Sequence, residues 1–427
     1  MRLPQRHCIV AAGLVLASAA SAQDAAGPAE TPPPDPASIA GPAADAPGEN
    51  AAPGAPAPTA IEPEVAPRTL LGSVIQPGTR RNLHWVAGQS FSGSPLRAPV
   101  VVVHGARPGP TLCLTAAVHG DELNGVEIVR RVLAETLPEE LRGTLIGVPI
   151  VNLLGFAEGS RYLPDRTDLN RYFPGRPRGN AASLIAYSFF EEVVRQCDRV
   201  IDLHTGSFKR SNLPQLRANL DQPGVAEFVT CFGATAVLHR SRERGTLRDA
   251  ATAAGIPAVT FELGEPGTVQ AEHVAYGVDA IHLVLDRLGM LPRPYLGNDP
   301  QPVFYRARWV RALHGGILSS PLALGAQVAE NELLGMVINP LTNEESEIRA
   351  PFAGRVLGRA LDQFVLPGFA VFHLGIETHS VAERDKGAPL PEETPGDDEA
   401  ALEGSSHDAG VEAFIEESQE SEDTAPP

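Results

Sequence analysis

The sequence is almost without lysine: its 427 residues hold only Lys209 and Lys386. Any chemistry that must be carried on a lysine has only those two positions. No Gly-x-Ser-x-Gly occurs, which removes the nucleophile elbow of serine hydrolases. Beyond the first 22 residues no apolar run approaches the roughly 18 residues that a membrane helix needs. Past that point the cysteines are Cys113, Cys197 and Cys231. Their odd number allows at most one intrachain disulfide, and their spacing fits no compact zinc knuckle. Cys113, inside the apolar run Thr111–Val118, reads as a small buried hydrophobe. A surplus of positive charge is also missing, with Lys+Arg 34 against Asp+Glu 52. That balance opposes nucleic acid as a partner.

The formal net charge of −18 is unevenly placed. Residues 68–382 hold 30 acidic and 30 basic residues, whereas 23–67 carry seven acids and no base, and 383–427 fifteen acids and two bases. Residues 1–22, with Arg2, Arg6, the apolar run Cys8–Leu16 and Ala20-Ser21-Ala22, read as an export signal. The expected location is therefore the periplasm or the extracellular space, with no membrane insertion once the signal is removed. Residues 23–67, with 14 Ala and 12 Pro, read as an extended linker. Residues 383–427 read as a disordered acidic tail.

Between these tails, apolar β-rich runs alternate with helical spacing. Pro99–His104 and Thr111–Val118 flank a Pro-Gly-Pro turn, and Asn124–Glu135 then repeats apolar residues at helical intervals. Strands at 144–151, 199–203, 235–238 and 257–263 alternate with helices at 182–196, 225–232, 247–254 and 271–288. This is the pattern of an α/β fold, a mixed sheet flanked by helices, over residues 68–296. From Pro302 the character changes to short strands and Gly-rich turns, so residues 297–382 read as an all-β module. Its passage around Ala350-Pro351-Phe352-Ala353-Gly354 resembles the barrel-sandwich domains that carry biotin or lipoate. Neither lysine lies in this module, so a carrier role is excluded.

Three strand ends carry candidate chemistry. His119-Gly120-Asp121-Glu122 follows the strand ending at Val118, and a His and a Glu three positions apart on a tight loop can both face one cation. Asp202-Leu203-His204-Thr205-Gly206 offers a second imidazole; Asp202 is either a group that orients His204 or an ordinary buried Asp. Phe261-Glu262-Leu263-Gly264 ends an apolar strand on a carboxylate, which suits a general base beside a cation, a fourth ligand or a structural ion pair. Between them, Arg161 precedes Asp168-Leu169-Asn170-Arg171-Tyr172-Phe173-Pro174-Gly175. Asn170 and Arg171 fit recognition of a carboxylate, and Arg161 fits polarisation of a carbonyl, with Arg166 its competitor.

Taken in order, these four motifs resemble the succinylglutamate desuccinylase/aspartoacylase family of the zinc carboxypeptidase superfamily, over residues 95–290. The resemblance implies a zinc-carboxypeptidase-like sheet and one Zn²⁺ per chain held by His119, Glu122 and His204. It further implies Glu262 as general base, Asn170 and Arg171 on the substrate carboxylate, and Arg161 at the scissile carbonyl. The activity it implies is a hydrolase removing the acyl group from an N-acyl amino acid or similar small amide. Two alternatives stand beside it: a carboxypeptidase or amidase acting on peptides or cell-wall fragments, and a non-catalytic envelope binding or adaptor protein. The oligomeric state is open.

Overall fold

A computed structural model describes residues 64–89, 92–291 and 303–378. The expected export segment, residues 23–63 of the linker and the acidic tail lie outside the described residues. So does residue 296, where the first domain is expected to end.

The chain opens with the antiparallel pair β1 (Arg68–Leu70) and β2 (Ser73–Ile75), followed by β3 (Thr79–Gln89), β4 (Pro95–His104) and β5 (Arg107–Ala116). Then come α1 (Asn124–Glu135), β6 (Arg142–Val148), α2 (Leu153–Glu158), α3 (Ala181–Glu192), β7 (Arg199–His204) and β8 (Arg210–Ala218). After these follow α4 (Val225–Thr230), β9 (Ala236–His239), α5 (Leu247–Ala253), β10 (Ala258–Gly264) and α6 (Ala271–Arg287). The C-terminal region supplies β11 (Val303–Arg311), β12 (Gly316–Ser319), β13 (Gln327–Val328) and β14 (Leu333–Ile338). It ends with β15 (Glu345–Arg349), β16 (Gly354–Ala360), β17 (Phe364–Val365) and β18 (Ala370–Thr378).

Twelve strands form one mixed sheet, ordered β13-β16-β18-β11-β9-β8-β10-β7-β5-β6-β4-β3. Its centre is parallel, β6 beside β5, β5 beside β7 and β7 beside β10. Every residue of β10 is buried, as expected of a strand covered on both faces. Alternation along the strands feeds two cores. On one face Leu114, Leu203 and Phe261 meet Ile128, Val129 and Val132 of α1 and Ile281 and Val284 of α6. On the other, Cys113, Val200 and Ala258 meet Ala186 and Phe189 of α3 and Ala251 of α5. The mixed α/β sheet flanked by helices is thus present.

The sheet does not stop at the expected domain boundary. Residues Arg210–Asn212 of β8 pair with β16, whereas Gln215–Ala218 pair with β9. Pro214 falls between the two pairings, where no ladder donor is required. Since β16 also pairs with β18, β18 with β11 and β11 with β9, five strands close into a barrel. Ala236, Leu238, Tyr305 and Leu357 cluster there with Leu213. The remaining C-terminal strands form a four-stranded sheet, β15-β14-β12-β17, and this region has an apolar core of its own. The C-terminal β region is therefore built partly into the α/β sheet, a point the composition change at Pro302 did not convey.

The expectation for Cys113 needs correction. It is buried, yet it is bonded to Cys197, with Cα atoms 5.8 Å apart. The pairing follows from sheet order: β7 lies beside β5, and the Asp198 N–H donates to the Thr111 carbonyl at 2.9 Å, so Cys197, two residues before β7, is delivered to the side of Cys113. The bridge closes a loop with sequence separation 84. Replacing both cysteines by serine is expected to lower the unfolding free energy by about 2–4 kcal/mol. Urea titration of the two proteins measures this; equal midpoints and slopes would refute it.

Candidate active site

Three neighbouring parallel strands, β5, β7 and β10, end together, and ligand-binding loops of open α/β sheets gather at such carboxyl ends. His204 closes β7, and Glu262 is its register partner on β10. Asp202 is the register partner of Thr115 on β5, three residues before the turn that presents His119. Ala117, at φ 48, bends the chain into that turn. Gly120 is required by proximity, since a Cβ there would overlap the backbone of Gly155 and Phe156 in α2.

This arrangement brings His119, Glu122 and His204 into one buried cluster whose ligand atoms all lie within 4.8 Å of one another. Glu122 Oε1 is 2.8 Å from His119 Nδ1 and Glu122 Oε2 is 2.8 Å from His204 Nδ1. The two Nδ1 atoms are 3.2 Å apart. Each imidazole turns its other nitrogen to a carboxylate: His204 Nε2 is 2.8 Å from Asp202, and His119 Nε2 is 3.3 Å from Asp168. Asp202 is itself fixed by the Thr115 hydroxyl, which donates to it at 2.7 Å. Two imidazoles with converging Nδ1 atoms, a carboxylate between them and carboxylates behind them form the donor set and the outer support of a His₂Glu metal site. The three groups fit a divalent cation.

The electrostatics follow from the packing. Burial alone would raise the Glu122 carboxyl, but His119 and His204 outweigh it and hold the group well below the carboxylate range. Burial would depress His204, yet Asp202 and Glu122 raise it well above an ordinary imidazole. His119 is raised too: burial and Arg161 oppose, Glu122 and Asp168 prevail. Asp168 is lowered well below its usual value, because His119 and Arg161 overcome its burial.

Arg161 donates to Asp168 at 3.3 Å and to Glu122 at 3.2 Å, so it stands beside the cluster. Arg166 occupies an exposed turn at φ 67 and does not line the cleft. Asn170 uses its side-chain oxygen to accept from Leu247 N at 2.8 Å, and Arg171 is 3.7 Å from Glu243. Glu262 has Asn212 donating to Oε2 at 3.2 Å and Arg217 at 3.4 Å from Oε1. All seven residues expected from the sequence, His119, Glu122, Arg161, Asn170, Arg171, His204 and Glu262, line a single cleft.

Residues 108–288 match the family described as succinylglutamate desuccinylase/aspartoacylase catalytic domain. This segment belongs to that family. Over 160 residues the chain is 32% identical to an N-alpha-acetyl-L-2,4-diaminobutyric acid deacetylase of Halomonas elongata; the match covers 37% of this chain and spans 42% of that relative's length. The product-bound structure of the ectoine utilization protein EutE (DoeB) from Ruegeria pomeroyi is similar with a TM-score of 0.63 and 27% identity, covering 73% of this chain and 98% of that one. A succinylglutamate desuccinylase/aspartoacylase from Rhodobacter sphaeroides gives a TM-score of 0.64 and 25% identity over 70% and 96% of the two chains.

Within this succinylglutamate desuccinylase/aspartoacylase domain, several cleft residues escaped the sequence reading. Asp168 was quoted in its motif without a role, yet it braces His119, accepts from Asn170 N at 2.8 Å and pairs with Arg161. Arg217 and Arg248 also line the cleft. Arg248 is buried, donates to Glu243 at 3.1 Å, and has its pKa lowered by that burial. Its signal was available: an arginine in the first turn of an otherwise apolar or small-residue helix, Leu247–Ala253. For Arg217 the sequence held no such signal, because Pro214 and the polar residues before it read as a loop rather than as the strand Arg210–Ala218.

Proposed function

We propose that the protein is a zinc-dependent hydrolase that removes the acyl group from an N-acyl amino acid or a similar small, carboxylate-bearing amide. The observation that carries this reading is the buried His119-Glu122-His204 cluster opening, in one cleft, onto Glu262 and the guanidinium groups of Arg161 and Arg171. The names of the relatives support it, since one is a deacetylase of an N-acetylated amino acid.

In this reading His119, Glu122 and His204 hold the metal, which when bound supplies a Lewis acid and lowers the pKa of an adjacent water. Glu262 takes the proton from the attacking water and returns one to the leaving nitrogen, so that the amide becomes a carboxylate and an amine. Asn212 and Arg217 keep both oxygens of Glu262 directed. Arg161 donates to the carbonyl oxygen as negative charge develops on it. Arg171 and Asn170 grip the substrate carboxylate, and the planar guanidinium sets its orientation. Every side chain lining the cleft is polar or charged, which suits a small polar amide better than a peptide with bulky apolar side chains.

We also place the protein outside the cytoplasm. The Cys113–Cys197 disulfide supports this, because such bonds persist in oxidising compartments.

The test is elemental analysis of the purified protein together with a panel of N-acyl amino acids, peptides and cell-wall fragments scored for released primary amine. About one zinc per chain with release from N-acyl amino acids is expected. Release from peptides alone would move the assignment to a carboxypeptidase, and no metal with no release would leave a binding protein.

A further inference from the structure

The loop that follows His204 carries backbone strain at two non-glycine residues. Phe208 and Lys209 are consecutive non-glycine residues at φ 54 and φ 56, a conformation L-residues avoid. Strain of this kind persists where surrounding contacts over-determine it, and it concentrates at functional sites. Here the determining contacts come from the C-terminal β region. Gln363, just before β17, donates its side-chain amide to the carbonyls of Phe208 at 3.3 Å and Lys209 at 2.9 Å, and Leu361 N donates to the Lys209 carbonyl at 2.8 Å. On the other side, Arg210 N donates to Ser207 O at 3.1 Å, a turn so tight that a Cβ on Gly206 would overlap the Arg210 carbonyl.

The consequence of that conformation is the position of one ring. Phe208, 38% exposed, lies with its centroid 5.5 Å from the Arg161 guanidinium carbon. Tyr162 lies 6.0 Å from the same carbon. Arg161 is meanwhile drawn by two carboxylates, Glu122 and Asp168. Those charges hold the two terminal nitrogens of the guanidinium, and an aromatic face beside a planar cation adds a further constraint on its tilt.

We propose that Phe208 is a positioning residue for Arg161, held in its left-handed conformation by Gln363, so that the C-terminal β region sets the geometry of the group that meets the scissile carbonyl. The inference rests on the hydrolase reading above for its catalytic consequence, but the contact itself does not. Phe208 touches no reacting atom in this scheme. Its effect passes through the guanidinium, and it should therefore change turnover rather than substrate affinity.

The experiment compares Phe208→Leu, Phe208→Tyr and Gln363→Ala with the parent full-length protein, each checked for metal content and melting temperature. With an N-acyl amino acid from the panel, Phe208→Leu is expected to lower kcat about tenfold with KM within about twofold, since a misplaced group at the developing charge costs rate. Phe208→Tyr, which keeps the ring, should restore most of it, and Gln363→Ala should fall between. On an Arg161→Ala background, Phe208→Leu should produce no further loss. Independently of activity, the ¹⁵N-resolved exchange of the Arg161 Nε proton should speed up in Phe208→Leu and not in Phe208→Tyr. Unchanged Arg161 exchange in Phe208→Leu, a rise in KM at constant kcat, or an equal loss on the Arg161→Ala background would each overturn the proposal. A parent protein that releases no amine from any substrate would instead defeat the hydrolase reading, with the exchange measurement still deciding the Phe208–Arg161 contact.

Discussion

Glu262→Gln is expected to lower turnover by about 10²- to 10⁴-fold, the range of a positioned acid–base group, while zinc content stays at the parental value and the melting temperature falls modestly with the loss of the Arg217 ion pair. The side chain keeps its size and its oxygen facing Asn212, whose Nδ2 donates at 3.2 Å, while its amide nitrogen replaces the oxygen that stood 3.4 Å from Arg217, so the packing is kept and one ion pair is lost. Glu262 is not one of the three groups that converge on the metal position, which is why the metal should remain. What the amide lacks is a site that accepts a proton. KM should move little, because the proposed carboxylate grip lies with Arg171 and Asn170 on a different segment. Stopped-assay kinetics with metal analysis on the same preparation reads all of this. Turnover within threefold of the parent would remove Glu262 from the base role, and loss of zinc would make it a ligand instead.

The parts of this site visible in the sequence share one property: each sits in a short segment where an apolar strand meets a glycine turn. His119, His204 and Glu262 are all of this kind, because a parallel strand buried on both faces has only its end at which to present a polar group. Arg161, Asn170 and Arg171 were legible for a different reason, as charge and amide donors dense within one loop. Arg217 was not, because it lies inside β8, a strand that propensity disfavours. Pro214 and the polar residues Ser211, Asn212 and Gln215 argue for a loop there, and only the change of partner from β16 to β9 shows why a strand tolerates them. Strand β3 was missed for a simpler reason. It lies at the edge of the sheet and alternates buried Leu83, Trp85 and Ala87 with exposed His84 and Val86, and its two arginines mask the pattern.

Long-range pairings were also beyond the sequence. The closure of β8 and β9 with β11, β16 and β18 pairs Ala236 with Val303 and, across a much longer stretch of chain, Ser211 with Arg359, and nothing local in either segment specifies the match. The Cys113–Cys197 bond is similar: its chemistry was permitted by the cysteine count, but its existence depends on β7 lying beside β5. Secondary structure thus follows from local patterning here, whereas the join between the α/β sheet and the C-terminal β region follows from register alone.

His204→Ala and His204→Asn separate the two jobs of that imidazole. Both remove a proposed ligand atom, so on the zinc reading bound metal should fall from the parental content to a small fraction, and activity by about 10³-fold or more, because the loss would remove several kcal/mol of charge stabilisation in the transition state. The variants should differ in stability. In chelator-treated protein, alanine leaves Asp202 and Glu122, at 0% and 1% exposure, without the cation that faces both, and breaking such a buried pair costs about 3–5 kcal/mol. Asparagine keeps a donor for Asp202 and should recover part of this. The pH dependence has a defined sign. Since folded His204 titrates well above an ordinary imidazole, the stability it contributes is complete below the unfolded pKa of about 6.5 and fades as pH rises through the folded value. The gap in unfolding free energy between metal-free parent and His204→Ala should therefore be widest near pH 6 and narrow toward alkaline pH. A gap that widens with pH would show that the imidazole is neutral in the metal-free fold, and that Asp202 serves only to orient it.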